Sequence, residues 1–320
     1  MHYVAGVDLG ATKIIAAIGD AEGNVLARAQ TDTLAHEGSD AGVRRIARLI
    51  EQVAFVAGVD ARKASAIGVG SPGPLDIKRG MILDAPNMKW KDVPLRDLLE
   101  AHFGVPVAVT NDCKAGGLGE HRFGSGQGTR EMVYLGVGTG IGGCIIQNGQ
   151  VVYGSTGNAG EIGHVVIDLA GPRCGCGAQG CLESISSGSG IGRAGQEAAR
   201  TPEGGFLRDL AGGAPDQVHG GTVAQAAAAG DAAARAILSR AAKALGVACS
   251  NLMNLLGPEV VVLGGGVMAK NGPAFLAEIE AEAKKQVLAG CWAPVKLAAL
   301  GEDSALRGAL ALALDRAGLI

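Results

Sequence analysis

A short apolar strand that ends in a polar, glycine-bearing turn and continues into a second strand occurs twice in this chain. Residues 4–7 lead into Asp8-Leu9-Gly10-Ala11-Thr12-Lys13 and then 14–18; residues 132–137 lead into Gly138-Thr139-Gly140-Ile141-Gly142-Gly143 and then 144–147. Gly10 and Gly140 occupy matching places, and Gly23-Asn24 in the next turn answers to Gly149-Gln150. Asn148-Gly149 is a strong hairpin signal before a third strand over 150–153. A supersecondary unit repeated across half the chain implies two duplicated α/β domains facing each other. A length of 320 residues accommodates two such domains. We expect an N-terminal lobe over 1–112, completed by the last helix at about 303–320, and a larger lobe over 113–302.

The intervening segments fit that plan. Val43, Ile46, Leu49, Ile50 and Val53 recur at helical spacing within 42–57. A strand over 66–69 runs into the rigid loop Gly70-Ser71-Pro72-Gly73-Pro74, and another over 105–109 stops at Thr110-Asn111-Asp112 before a helix over 113–120. Helices follow at 222–229 and 231–256, the second bounded by Asp231 and by Gly257-Pro258. A buried strand over 260–263 precedes Gly264-Gly265-Gly266, and a last helix covers 304–315. Residues 204–221 read as a loose surface excursion.

Composition removes several function classes. A net charge of −3 and an aromatic content of 3% supply neither a basic surface nor a stacking platform, so nucleic acid is not an expected partner. No apolar run reaches the roughly 18 residues of a membrane span, and no secretory leader opens the chain. Seven cysteines, three of them within 174–181, suit a metal in a reducing, cytoplasmic setting better than a disulfide framework.

Three strand-end glycine turns, at 10–12, 138–143 and 264–266, point to a nucleotide, because backbone N–H groups there can approach an anion unobstructed. No Gly-Lys pair occurs, which excludes a Walker-type loop. Gly138, Gly140 and Gly143 satisfy G-x-G-x-x-G, but a hairpin rather than a helix follows, which weakens an NAD-linked oxidoreductase reading. Two hairpin turns gripping phosphates, with a third loop near adenine, is the actin-like ATPase arrangement. Gly10, Ala11, Thr12, Lys13, Gly138, Thr139, Gly140, Gly264, Gly265 and Gly266 are then the nucleotide-binding candidates. Asp8 would face Mg²⁺ through water, or else merely cap its turn. Asp112 is either a helix cap or the general base that deprotonates a sugar hydroxyl.

His164, Cys174, Cys176 and Cys181, spaced H-x9-C-x-C-x4-C, form a closed four-ligand set suited to structural zinc. With Gly157-Asn158-Ala159-Gly160-Glu161-Ile162-Gly163-His164 and Cys174-Gly175-Cys176-Gly177-Ala178-Gln179-Gly180-Cys181-Leu182-Glu183, the whole chain closely resembles the ROK family of repressors, open reading frames and sugar kinases. The resemblance implies a two-domain, actin-like ATPase (duplicated ribonuclease H-like) fold in a homodimer or tetramer, acting on a small sugar with MgATP. It implies Asp112 as catalytic base and Asn111, Glu161, His164 and Glu183 as sugar ligands, with Gly73 and Asn87 as further contacts. His164 would serve metal and sugar through different ring nitrogens. The intact Glu161-Ile162-Gly163-His164 run looks most like the glucokinase branch, although Ala11 stands where many relatives carry a second glycine. The expected activity is phosphorylation of glucose at its 6-hydroxyl. The alternatives are kinases for N-acetylmannosamine, fructose, allose or mannose, and a sugar-sensing regulator, for whose DNA-binding segment the seven residues before Asp8 leave no room.

Overall fold

The computed structural model describes residues 2–320. Contacts divide them into two compact units, the first holding residues up to Gly128 with Cys144–Ala159 and Glu302–Ile320, the second holding Thr129–Gly143 and Gly160–Gly301.

In the first unit, β1 (Tyr3–Leu9), β2 (Lys13–Asp20) and β3 (Val25–Asp32) form an antiparallel meander, and α1 (Ser39–Val56) follows. The apolar positions read at helical spacing on α1, from Val43 to Val53, are the ones it buries. After α1 come β4 (Ile67–Ser71), the small antiparallel sheet of β5 (Leu75–Asp76), β6 (Met81–Ala85) and β7 (Trp90–Val93), then α2 (Leu95–Phe103), β8 (Val107–Asn111) and α3 (Asp112–Phe123). The main sheet has the order β3-β2-β1-β4-β8, with β4 parallel to both β1 and β8. Buried aliphatic residues fill β1 and β4 almost without interruption, as expected of strands covered on both faces.

The second sheet is built from β9 (Met132–Val137), β10 (Ile141–Gln147) and β11 (Gln150–Val151). Helices α4 (Leu182–Ser186), α5 (Gly188–Ala199), α6 (Gly205–Leu210), α7 (Gly220–Ala228) and α8 (Ala232–Leu256) come next. Then follow β12 (Val260–Gly264), α9 (Gly266–Gln286), β13 (Val295–Leu297) and α10 (Ser304–Arg316). Its order, β11-β10-β9-β12-β13, repeats that of the first sheet, again with parallel pairing of the first, fourth and fifth strands. This is the duplicated α/β plan expected of an actin-like ATPase. The helix over 231–256 is realised with its expected ends: Asp231 Oδ1 accepts from the Ala234 N–H at 2.7 Å, and Gly257 caps the other end at φ 56°.

Three departures are informative. Residues 204–221, read as a loose excursion, contain α6, a short helical turn over Pro215–Gln217 and the start of α7, with Leu207 fully buried against the second core. The glycines at 264–266 open a helix: α9 escaped notice because Gly272, at φ 65°, and Pro273 interrupt it. The first unit also runs past the expected boundary at 112 to Gly128, because α3 packs on α10.

That helix pair meets at glycines. A Cβ on Gly308 would lie 1.6 Å from the Ala115 carbonyl oxygen, and one on Gly119 would lie 2.2 Å from that of Ser304. The rest of α10 buries Leu306, Leu310, Ala313 and Leu314 against Val4, Ile15, Ala17 and Ala66. Among the described residues no helix is long and apolar enough to cross a membrane. Gly308→Ala should overpack the α3–α10 contact and lower stability by about 1–3 kcal/mol, measured by urea unfolding.

Candidate functional site

In the first unit, the ends of three parallel strands bring the acidic candidates together. Asp8 on β1 pairs with Gly70 on β4, and Gly70 pairs with Thr110 on β8, two residues before Asp112. Asn111 is the N-cap of α3, its Oδ1 accepting from the N–H groups of Cys113 at 3.0 Å and Lys114 at 3.3 Å. Asp112 Oδ1 also accepts from the Cys113 N–H, at 2.8 Å. The capping role considered for Asp112 therefore belongs chiefly to Asn111. Burial, with the charges of Asp112 and Asp303 acting in the same sense and Lys13 opposing them, pushes the Asp8 carboxyl up to about 6.

The Gly10–Lys13 turn is held from outside. Gly10 N donates to Lys13 O at 2.9 Å, Thr33 Oγ1 to Gly10 O at 2.7 Å, and Thr33 N to Thr12 O at 2.8 Å. Thr12 and Lys13 are exposed at its tip, Ala11 half-buried, and Lys13 Nζ lies 3.7 Å from Glu302. Gly73 sits between β4 and β5, and Asn87 is exposed in the turn between β6 and β7. The carbonyl of Pro74 accepts from the N–H groups of Leu83 and Asp84, tying the Gly73 loop to β6.

In the second unit, one donor atom from each of His164, Cys174, Cys176 and Cys181 lies within 4.8 Å of the others. The Cys176 and Cys181 sulfurs are 3.7 Å apart, as are Cys174 Sγ and His164 Nδ1. Tetrahedral zinc with bonds of about 2.3 Å to sulfur and 2.0–2.1 Å to nitrogen requires edges of about 3.8 and 3.6 Å. These two edges match that geometry, and the whole set, spread over at most 4.8 Å, can close on such an ion by a small contraction. Hydrogen bonds from the Ala178 backbone and from Cys174 hold the exposed Cys176 thiol below its usual range, whereas burial raises that of Cys181. Glu161 is exposed at the start of the turn that carries His164, and its carbonyl accepts from the His164 N–H at 3.1 Å. Glu183 lies on α4 just after Cys181, and its Oε2 accepts from the Ile141 N–H at 2.8 Å.

The same unit contains a cavity of about 780 Å³, in the range of ligand sites. Gly138 and Thr139 from the β9–β10 turn line it, together with the first residues of α5, α7 and α9: Gly188, Gly220 and Gly266. Arg193, His219 and Lys270 contribute cationic or donor groups, and no described lining residue is acidic. Helix starts present unpaired N–H groups, so the lining favours an anion. His219 is the N-cap of α7, with Nδ1 accepting from the Thr222 N–H at 3.2 Å, so the neutral ring carries its proton on Nε2. Of the three expected glycines after β12, Gly266 lines the cavity, while Gly264 packs beside Tyr134. Gly265 adopts φ 91° where a Cβ would meet the Val137 carbonyl oxygen at 2.5 Å. The contributions of α5, α7 and α9 were missed in the sequence; Ser187 and His219, which cap α5 and α7, were the available signals.

The ROK family model matches residues 4–316. A glucokinase of Thermotoga maritima is 33% identical over 316 residues, covering 98% of each chain. The crystal structure of a ROK hexokinase from Thermus thermophilus superposes with a TM-score of 0.86 at 34% identity, covering 97% of this chain and 98% of that one. A ROK family glucokinase from Streptomyces griseus, solved in complex with glucose and AMPPNP, gives a TM-score of 0.80 at 34% identity, covering 98% and 99%.

The raised carboxyl of Asp8 has a measurable consequence. Its proton is held more tightly in the folded chain than in the unfolded one, so the penalty for ionising it is absent below about pH 3.8 and complete above about pH 6. Asp8→Asn should therefore stabilise the protein at pH 8 by up to about 3 kcal/mol and lose that advantage by pH 4, as read from unfolding curves at the two pH values.

Proposed function

The chain belongs to the ROK family, and from that premise we propose that it transfers the γ-phosphoryl group of ATP to the 6-hydroxyl of glucose, giving glucose 6-phosphate and ADP. The observation that carries this reading is the likeness, over nearly the full chain, to glucokinases in both sequence and structure. The enzyme is an ATP-dependent sugar kinase. In the transfer, the sugar oxygen forms a bond to the γ-phosphorus while the bond to the β,γ-bridging oxygen breaks and its electrons leave with ADP.

Asp112 serves as the base that receives the 6-hydroxyl proton. Its support is its position at the end of β8, next to a helix cap supplied by Asn111, which leaves the Asn111 amide NH₂ to donate to a neighbouring sugar hydroxyl. Glu161, His164 and Glu183 bind further hydroxyls, with Gly73 and Asn87 as additional contacts. Asp8 would help hold the nucleotide's Mg²⁺, and the negative charges of Asp112 and Asp303 around it support a cation there. When bound, Mg²⁺ neutralises charge on the β- and γ-phosphate oxygens. The Gly10–Lys13 and Gly138–Gly140 turns take the phosphates, and the cavity next to Gly266 takes the rest of ATP.

Zinc at His164, Cys174, Cys176 and Cys181 is a structural ion in this reading. His164 ligates through Nδ1, the nitrogen beside Cys174, and keeps Nε2–H for a sugar hydroxyl. The family resemblance supports a homodimer, which light scattering distinguishes from a tetramer. The three cysteines within 174–181, grouped with His164 as candidate metal ligands, support a reducing, cytoplasmic location.

A coupled kinase assay across glucose, mannose, fructose, allose and N-acetylmannosamine tests the activity, with glucose expected to give the highest kcat/KM. Asp112→Asn should reduce kcat by about 10²–10⁴-fold while glucose affinity, measured by calorimetry, is largely kept; an active variant would remove Asp112 from the role of base. Metal analysis should return one zinc per chain, and Cys176→Ser should lose both the metal and glucose binding.

A further inference from the structure

Within the second unit, one carboxylate joins the metal-binding loop to the β9–β10 turn. Cys181 is the N-cap of α4, and Glu183 is the second residue of that helix. Its Oε2 takes the Ile141 N–H at 2.8 Å, and its Oε1 lies 3.9 Å from Cys174 Sγ. A Cβ on Gly140 would come within 2.5 Å of Oε2, so the carboxylate sits directly under the turn. The chain leaving α4 returns to the same turn: Gly188 N donates to Gly138 O at 2.8 Å and Ser189 N to Thr139 O at 3.2 Å. Arg193, which lines the cavity, donates through Nη1 to the Arg173 carbonyl at 2.8 Å, one residue before Cys174.

Helix α4 has only five residues, too few to hold its own shape. Leu182 and Ile185 seat it in the second core and Ser186 Oγ donates to the Ala241 carbonyl at 2.9 Å, while Cys181 at its N-cap sets the first turn, which carries Glu183. Ile141 is buried, so loss of its acceptor leaves a buried N–H unsatisfied in the turn.

We propose that metal occupancy of the His164–Cys181 loop sets nucleotide affinity, with Glu183 as the positioning residue. The metal fixes Cys181 and the start of α4, α4 fixes the Glu183 carboxylate, and the carboxylate holds the Gly138–Gly143 turn in the form that accepts phosphate. This inference rests on the reading of the cavity as the ATP site and of the four donors as zinc ligands.

The test is calorimetric titration with AMPPNP and Mg²⁺ in the absence of sugar. It compares zinc-loaded protein, zinc-depleted protein, and zinc-loaded Glu183→Ala and Glu183→Gln, with zinc content and circular dichroism recorded for each. Zinc depletion and Glu183→Ala should each weaken AMPPNP by about tenfold or more. Glu183→Gln should recover most of the affinity, because its amide oxygen can accept the same N–H. A merely structural role for Glu183 would not give that recovery, so its absence overturns the hydrogen-bonded route. Unchanged affinity in folded, zinc-depleted protein, or in Glu183→Ala with full zinc, overturns the proposal and leaves the ATP site standing. Where depletion unfolds the chain, the fully loaded Glu183→Ala protein decides alone. If zinc-loaded wild-type protein does not bind AMPPNP, the ATP-site reading fails and the inference falls with it.

Discussion

The contact between α3 and α10 is the constraint on which the first unit depends. It is made by backbone against backbone, since Gly308 lies over the Ala115 carbonyl and Gly119 over that of Ser304. Such an approach lets the last helix of the chain lie flat against both α3 and the sheet, burying Leu306, Leu310 and Leu314. It also fixes the start of α3, where Asn111 and Asp112 sit at the end of β8. The high glycine content of this chain, 53 residues, thus serves helix packing as well as turns.

Electrostatics at the same strand ends work against stability. Asp8 is half-buried, and Asp112 and Asp303 add negative charge around it, with Lys13 in opposition. Neighbouring carboxylates raise each other's proton affinity, and a cation bound among them would relieve that effect. The arrangement makes sense for phosphoryl transfer, in which the metal and phosphates arrive together and the protein need only be organised for them.

In the second unit, the cavity and the four-donor His164–Cys181 loop are neighbours connected by Glu183 and by the start of α5. The cavity lining is cationic and rich in helix starts, and the loop is rich in thiols. Each would function poorly as a flexible surface feature, because phosphate recognition by N–H groups requires a fixed backbone. The hydrogen bond to Ile141 supplies a physical route by which one can stiffen the other.

Features written in contiguous residues were legible beforehand. The two strand–turn–strand units, the capped helix from Ala232 to Leu256 and the four metal donors all declare themselves through local periodicity, capping chemistry or ligand spacing. Of the three helices around the cavity, α7 was expected over 222–229, but the other two did not declare themselves. Helix α5 reads GSGIGRAGQEAA, too poor in large apolar residues to show a period, and α9 is broken by Gly272 and Pro273. The sequence by itself determined the duplicated fold, the family and the identity of the candidate ligands, because those follow from short-range patterns. Only the tertiary structure decided that Asn111 caps the helix beside Asp112, and that Asp8 gains its proton affinity from burial and from two distant carboxylates. It alone also decided that Glu183 holds the turn at Ile141. The cap is a local choice between two adjacent side chains that both reach the same N–H, whereas the other two depend on distances between residues far apart in the chain, and burial and charge act through distance in space.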